Sequence, residues 1–198
     1  MTELSAFKKL WMKALLRGVQ FSDKYAKLNQ FYRIEDPWQM DSPREQFRFD
    51  QTNQLILANF GRPERILEVG CGEGHQSVEL QKIGSQLFGI DVSARAVSRA
   101  KERCPTASFA IGDLASPHIS NTGAFDLVVA CEVLYYMKDV RAALNIMNRL
   151  GGACFVSFVD SRAEFLEPML KSIPDIKFHA FGYESTRWTA AWWTNRLD

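Results

Sequence analysis

Ile66-Leu67-Glu68-Val69-Gly70-Cys71-Gly72-Glu73-Gly74 is the stretch from which the fold can be read. A short strand-like run passes into three glycines at alternate positions, which lets the chain turn sharply and leaves bare backbone for a ligand to lie against. The free N–H groups of a helix starting after such a turn favour a carboxylate or other anion. The next apolar run, Phe88-Gly89-Ile90-Asp91, closes on an acid twenty-one residues after Gly70. A carboxylate about 20 residues beyond a glycine turn is placed to accept from ribose hydroxyls. The dinucleotide fingerprint Gly-x-Gly-x-x-Gly would need a glycine at position 75, where this chain has His75.

Outward from this turn the chain alternates. Strands are expected at residues 65–69, 86–90, 108–111, 126–130 and 153–159, with helices at 76–83, 94–103 (capped by Ser93) and 140–150 (capped by Asp139). Near-continuous apolar runs such as Leu127-Val128-Val129-Ala130 fit strands covered on both faces, as in a parallel sheet between helices. The end of the chain reads differently. Residues 176–183 and 189–194 look like two strands joined through Glu184-Ser185-Thr186-Arg187. Trp192 and Trp193 are adjacent on the second, so they point to opposite faces and at most one is expected in the core.

Before the glycine turn, Asp36-Pro37-Trp38 interrupts a first helical region, because a residue preceding proline avoids helix. Ser42-Pro43-Arg44-Glu45 then has the marks of a helix start: a capping serine, proline in the first turn and a glutamate for a capping box. Phe49, Thr52, Ile56 and Phe60 continue one face up to Gly61. Leu4, Phe7, Trp11, Ala14 and Gly18 also recur at helical spacing, and an amphipathic helix lying on its own domain is expected there. Lys13 interrupts the apolar run 10–16 and no small-residue cleavage site follows, so neither a secretory signal nor stable membrane insertion is expected.

At 198 residues, with 46% hydrophobic and 24% charged residues, one globular domain is expected. A net charge of +1 supplies no basic field and disfavours a nucleic-acid partner. Cys71, Cys104, Cys131 and Cys154 lack metal-ligand spacing, and buried thiols in a reducing cytoplasm are the simpler reading.

Four pieces stand in order: acid-Gly-x-Gly-x-Gly, the acid Asp91 ending the second strand, Gly112-Asp113-Leu114 after the third, and Phe125-Asp126-Leu127-Val128-Val129 before the fifth. Together they resemble class I S-adenosylmethionine-dependent methyltransferases. The resemblance implies a single Rossmann-like α/β domain, with a mostly parallel seven-stranded sheet, an antiparallel C-terminal strand and helices on both faces. It implies S-adenosylmethionine as cofactor and S-adenosylhomocysteine as product, held by Glu68, Gly70, Cys71, Gly72, Gly74, Asp91, Val92, Asp113, Leu114 and Cys131. Within that class, Asp36-Pro37-Trp38, the Ser42…Glu45…Arg48 helix start and Glu132-Val133-Leu134-Tyr135-Tyr136 resemble the nodulation-protein-S group, which methylates the amine of a chitin-type oligosaccharide. In such enzymes the N-terminal segment, here residues 1–60, folds over a core that would be residues 61–198.

A sulfonium methyl is already activated, so the protein's task is to align acceptor, methyl carbon and sulfur and to exclude water. Aromatic faces can position the sulfonium; Tyr32, Trp38 and Tyr136 are the candidate acceptor-pocket residues. Glu132, Tyr135 and His118 are the candidate catalytic residues, with Glu45 a further possible base. No metal is expected. A small-molecule or saccharide-like acceptor, methylated at N or O, is the expected partner, and the protein is expected to be a monomer or homodimer. Two alternatives remain open at this point: an NAD(P)-type oxidoreductase, which shares the ribose acid, and a cofactor-binding module without turnover.

Overall fold

The computed structural model describes Ser22 and residues 25–120 and 122–195. The helix expected over residues 4–18 lies outside the described residues. Tyr25–Phe31 forms α1 and Pro43–Phe60 forms α2, after which strands and helices alternate. They run β1 (Arg65–Val69), α3 (His75–Leu80), β2 (Gln86–Asp91), α4 (Ala94–Arg103), β3 (Ser108–Ile111), the short α5 (Pro117–Ser120), β4 (Phe125–Cys131), α6 (Val140–Leu150), β5 (Gly151–Val159), α7 (Ala163–Leu170), β6 (Lys177–Tyr183) and β7 (Thr186–Thr194). The strands make one seven-stranded sheet in the order β3-β2-β1-β4-β5-β7-β6. All pairings through β5 are parallel, and β7 runs antiparallel to both of its neighbours. The strand order reverses direction between β1 and β4, and in open α/β sheets that switch point leaves a crevice beyond the strands' carboxyl ends.

The sheet is covered on both faces, which is why its central strands are apolar at successive positions. Leu67, Val128, Val156 and Trp193 pack on one face against Leu144 and Met147 of α6 and Leu166 and Leu170 of α7. Ile66, Leu127, Phe155 and Trp192 pack on the other, against Ile56 of α2 and Leu80 of α3. Both tryptophans are therefore core, contrary to the expectation that at most one would be. β7 is an interior strand with neighbours on either side, so each of its faces meets a packed layer. The Trp193 indole N–H donates to Asn148 Oδ1 at 2.7 Å, and Trp192 stacks on Phe155 with ring centroids 6.3 Å apart.

Two local expectations change. Ser93 and Asp139 cap α4 and α6 as expected, accepting from the backbone N–H of Ala96 and Ala142. Ser42, by contrast, makes no side-chain capping bond, because Glu45 is drawn inward to Arg44 and Arg48 and not back to the helix start. The β6–β7 turn is tighter than read from sequence. Tyr183 pairs directly with Thr186, leaving Glu184 and Ser185 as the whole turn, with Glu184 at φ 51°. A positive φ at the first turn position suits the twist of a two-residue hairpin.

α2 is built into the domain. Glu45, Arg48, Phe49, Thr52, Asn53 and Ile56 are all buried along one face, and Asn53 donates to the carbonyl of Glu79 at the end of α3. Ile56→Ala is expected to cost about 2–5 kcal/mol of stability, the usual result of emptying a fully buried aliphatic site. Equilibrium urea unfolding checks this; a loss under about 1 kcal/mol would mark α2 as a detachable appendage.

Candidate active site

The glycine turn is fixed to the tip of β2. Gly70 and Cys71 both donate to the Ile90 carbonyl, at 2.8 and 3.0 Å, and Gly72 N–H donates to Asp91 Oδ2 at 3.0 Å. Asp91 Oδ1 accepts from Ser93 N–H at 2.8 Å, so the carboxylate bridges the first and second strand ends. Gly70 sits at φ 73° and a Cβ there would lie 2.5 Å from Val133 Cγ2, so both backbone conformation and space demand glycine. Gly74 is required for a different reason. Its φ is 81°, and a Cβ would meet the Ala100 Cα and Cβ of α4 at 3.0 and 3.1 Å.

Above this turn lies a cavity of about 320 Å³, walled by the carboxyl ends of β1, β2 and β4, by α2, and by the segment between α1 and α2. Of the residues expected at a cofactor, Glu68, Gly70, Cys71, Gly72, Asp91, Val92, Asp113 and Cys131 line it. Gly74 and Leu114 do not: Gly74 is spent on helix packing, and Leu114 is buried in the α6-side core. Asp113 Oδ1 also closes its own turn, accepting from Ala115 N–H and Ser116 Oγ. Tyr32, Trp38, Glu132, Tyr135 and Tyr136, expected on the acceptor side, all reach the same cavity. The His118 side chain lies outside the described residues.

Burial sets the electrostatics. Asp91 is driven up to about 6 by desolvation, opposed by its two backbone hydrogen bonds. Desolvation raises Glu68 to about 8, with the Ser77 hydroxyl donating to it. Glu132 rises to about 7, again chiefly through burial and against the attraction of Arg48. Two further features mark Glu132. It holds φ 55°, a conformation that β-carbon sterics penalise and that recurs at working sites. Its Oε2 accepts from the Tyr135 hydroxyl at 2.9 Å, while Oε1 is buried with no hydrogen-bond partner.

The wall around Glu132 is aromatic. Tyr135 and Tyr136 have ring centroids 4.7 Å apart, Tyr136 and Trp38 6.0 Å, and Trp38 and Phe31 4.4 Å. The Trp38 indole donates to the Tyr32 hydroxyl at 3.3 Å, and that hydroxyl lies 3.0 Å from where a Cβ on Gly72 would be. The chain before α2 thus passes directly over the glycine turn. It is tied down by Arg99, which donates to the carbonyls of Tyr32 and Ile34, and by Glu73, which accepts from the Asp36 backbone N–H at 2.8 Å.

Glu45 also lines the cavity, but both of its oxygens are engaged by arginine, Oε1 by Arg44 and Oε2 by Arg48 at 2.7 Å, which leaves it poorly placed as a base. Arg48 itself was not read as a site residue. It is 2% exposed, donates to Gln76 Oε1 at 3.0 Å, and keeps its charge because Glu45 and Glu132 outweigh the cost of its burial. The legible signal was that Glu45, Arg48 and Thr52 share the helical spacing of Phe49 and Ile56, so the buried face runs on through charged residues.

Comparison with known proteins follows the same lines. A family described as "Methyltransferase domain" matches residues 67–156. Nodulation protein S of Sinorhizobium fredii is 34% identical over 132 residues, 65% of this chain and 60% of the relative, so the chain spans less than two thirds of that protein's length. Nodulation protein S of Bradyrhizobium diazoefficiens is 32% identical over 153 residues, covering 73% of this chain and 72% of the relative. The crystal structure of the N-methyltransferase NodS from Bradyrhizobium japonicum WM9, in complex with S-adenosyl-L-homocysteine, superposes with a TM-score of 0.73 at 26% identity, over 88% of this chain and 100% of that one. With the mostly parallel seven-stranded sheet, the acid-flanked glycine turn and these relatives in agreement, the chain belongs to the class I S-adenosylmethionine-dependent methyltransferases, in the nodulation-protein-S group.

Proposed function

We propose that this protein transfers the methyl group of S-adenosylmethionine to an amine nitrogen of a small, saccharide-like acceptor, with Glu132 as the base. The observation that carries the reading is the pairing, in one cavity, of a ribose-type acid over a glycine turn with a half-buried glutamate that has one buried, unpartnered oxygen. The cofactor would lie across Gly70 to Gly72 with its ribose on Asp91 and its adenine beside Asp113. It supplies a sulfonium-bound methyl carbon open to in-line displacement. The family assignment sets the oxidoreductase alternative aside.

Each residue's part follows from its surroundings. Asp91 is already held by Gly72 and Ser93, so it meets incoming hydroxyls without reorganising. Tyr135, Tyr136 and Trp38 line the cavity in which a sulfonium would sit, and aromatic faces attract cations. The strap from Tyr32 to Ser42 screens the turn from water, which makes residues 25–42 the part of the N-terminal segment that acts as a lid. Glu132 Oε1 is free to take a proton, and the Tyr135 hydroxyl steadies the other oxygen. A carboxyl raised to about 7 accepts from an ammonium group far more readily than from an aliphatic hydroxyl, which favours N- over O-methylation. The N-methyltransferase title of the Bradyrhizobium japonicum relative points the same way.

Two measurements test this. Calorimetric titration with S-adenosylhomocysteine is expected to show binding that Asp91→Ala weakens by at least about tenfold, since hydrogen bonds to a charged group are worth roughly 1.5–3 kcal/mol each. Equal affinity in the variant would place the ribose elsewhere. With an accepted amine, kcat/KM at saturating cofactor is expected to rise with pH through about 7 as Glu132 loses its proton. Glu132→Gln should remove that limb and lower the rate by about 10²–10⁴-fold. Full cofactor affinity with no turnover on any of a panel of amines, phenols and amino sugars would favour a binding module instead.

A further inference from the structure

A second cluster lies at the rim of the cavity, where the strap crosses the glycine turn. His75, the residue in place of the fingerprint glycine, opens α3 with its side chain 5% exposed. Its Nδ1 lies 3.0 Å from Asp41 Oδ1, within hydrogen-bond distance; in the tautomer that donates from Nδ1 to this carboxylate, Nε2 carries the lone pair. That Nε2 is buried and has no hydrogen-bond partner. It faces Glu73 Oε2 at 3.7 Å and Asp36 Oδ1 at 3.8 Å, and the three donor atoms all lie within 4.8 Å of one another.

We propose that Asp36, Glu73 and His75 form a binding site for a divalent transition-metal ion that clips the strap onto the glycine turn. Three features carry this. An ion ~2.1 Å from each donor, as zinc requires of nitrogen and carboxylate oxygen, sets the donors ~3–4 Å apart, the spacing found here within a small side-chain adjustment. A histidine that binds a metal through one nitrogen characteristically gives its other N–H to a carboxylate, the part Asp41 plays. The backbone is bent to suit: Asp36 stands at φ 41°, and its Oδ1 is aimed by the Met40 N–H at 2.7 Å. Neighbouring charges leave the donors available. Arg99 pairs with Glu73 Oε1 and not Oε2, and Arg103 is occupied by the Glu73 carbonyl. One imidazole with two carboxylates suits zinc or manganese, whereas magnesium prefers all-oxygen surroundings. The site joins residue 36 of the strap to residues 73 and 75 of the turn, so an ion there would hold the lid closed.

Metal titration of tag-free, chelator-stripped protein tests this without reference to methyl transfer. One equivalent of zinc or manganese is expected to bind and raise Tm, with magnesium much weaker. His75→Ala and Asp36→Asn should each lower the affinity more than tenfold. Asp36→Asn keeps the turn, since asparagine tolerates positive φ and its amide oxygen still accepts from Met40. Asp41→Asn, on a side chain 78% exposed, should weaken binding by a smaller factor with no loss of fold. Absence of uptake at millimolar zinc and manganese would overturn the proposal, as would uptake unchanged in both ligand variants.

Discussion

The arrangement rests on one tie, the Asp91 carboxylate bridging the amide of Gly72 and the amide of Ser93. A glycine turn is flexible by nature, and three glycines in five residues would wander without an anchor. Asp91 and the Ile90 carbonyl fix the turn against the end of β2, which sets where α3 begins and how the bare backbone faces the crevice. The same carboxylate that shapes the turn is the one proposed to hold the cofactor's ribose. Burial lifts it to about 6, well above the ordinary aspartate value, so the folded protein holds this group with little solvent help. Its remaining lone pairs are oriented before a ligand arrives, and that preorganisation limits the reorganisation cost of binding.

Around this tie the protein collects ionisable side chains. Glu45, Arg48, Glu68 and Glu132 are all at the cavity, and the first three are almost fully buried. Arg48 links them, bonded to Glu45 and Gln76 and close enough in field to lower both Glu68 and Glu132. Removing one partner from such a set strands the others without solvent, so the group is stable only as a whole. This explains why α2 carries a charged buried face. It delivers Arg48 and Glu45 to the cavity while Ile56 anchors the helix on the sheet.

The strap over the glycine turn is ordered by the same kind of contacts. The strap between α1 and α2 has little regular structure and two residues at positive φ, Asp36 and Gln39. Its order comes from side chains of the core: Arg99 reaches its carbonyls, Glu73 its Asp36 amide, and Ser93 bonds Asn29 of α1. Aromatic packing adds to these polar contacts, with Trp38 set between Phe31 and Tyr136.

Sequence alone determined the sheet strands, their parallel character, the helix caps at Ser93 and Asp139 and the site of the glycine turn. These are local matters: an apolar run, a capping oxygen and a glycine at positive φ each act within a few residues. It also placed Asp91, because the distance from turn to acid is fixed by one β-α-β unit. Tertiary structure alone decided the rest. The capping box at Ser42 failed because Glu45 pairs with Arg44 and Arg48 of its own helix, and Trp192 and Trp193 both became core because β7 was inserted between two strands. Gly74 and Leu114 went to packing, and Arg48 met Gln76, His75 met Asp41 and Asp36 met Glu73 across 28 to 37 residues of chain. No spacing rule reaches that far, since the free energy of a buried charge depends on what the fold brings beside it.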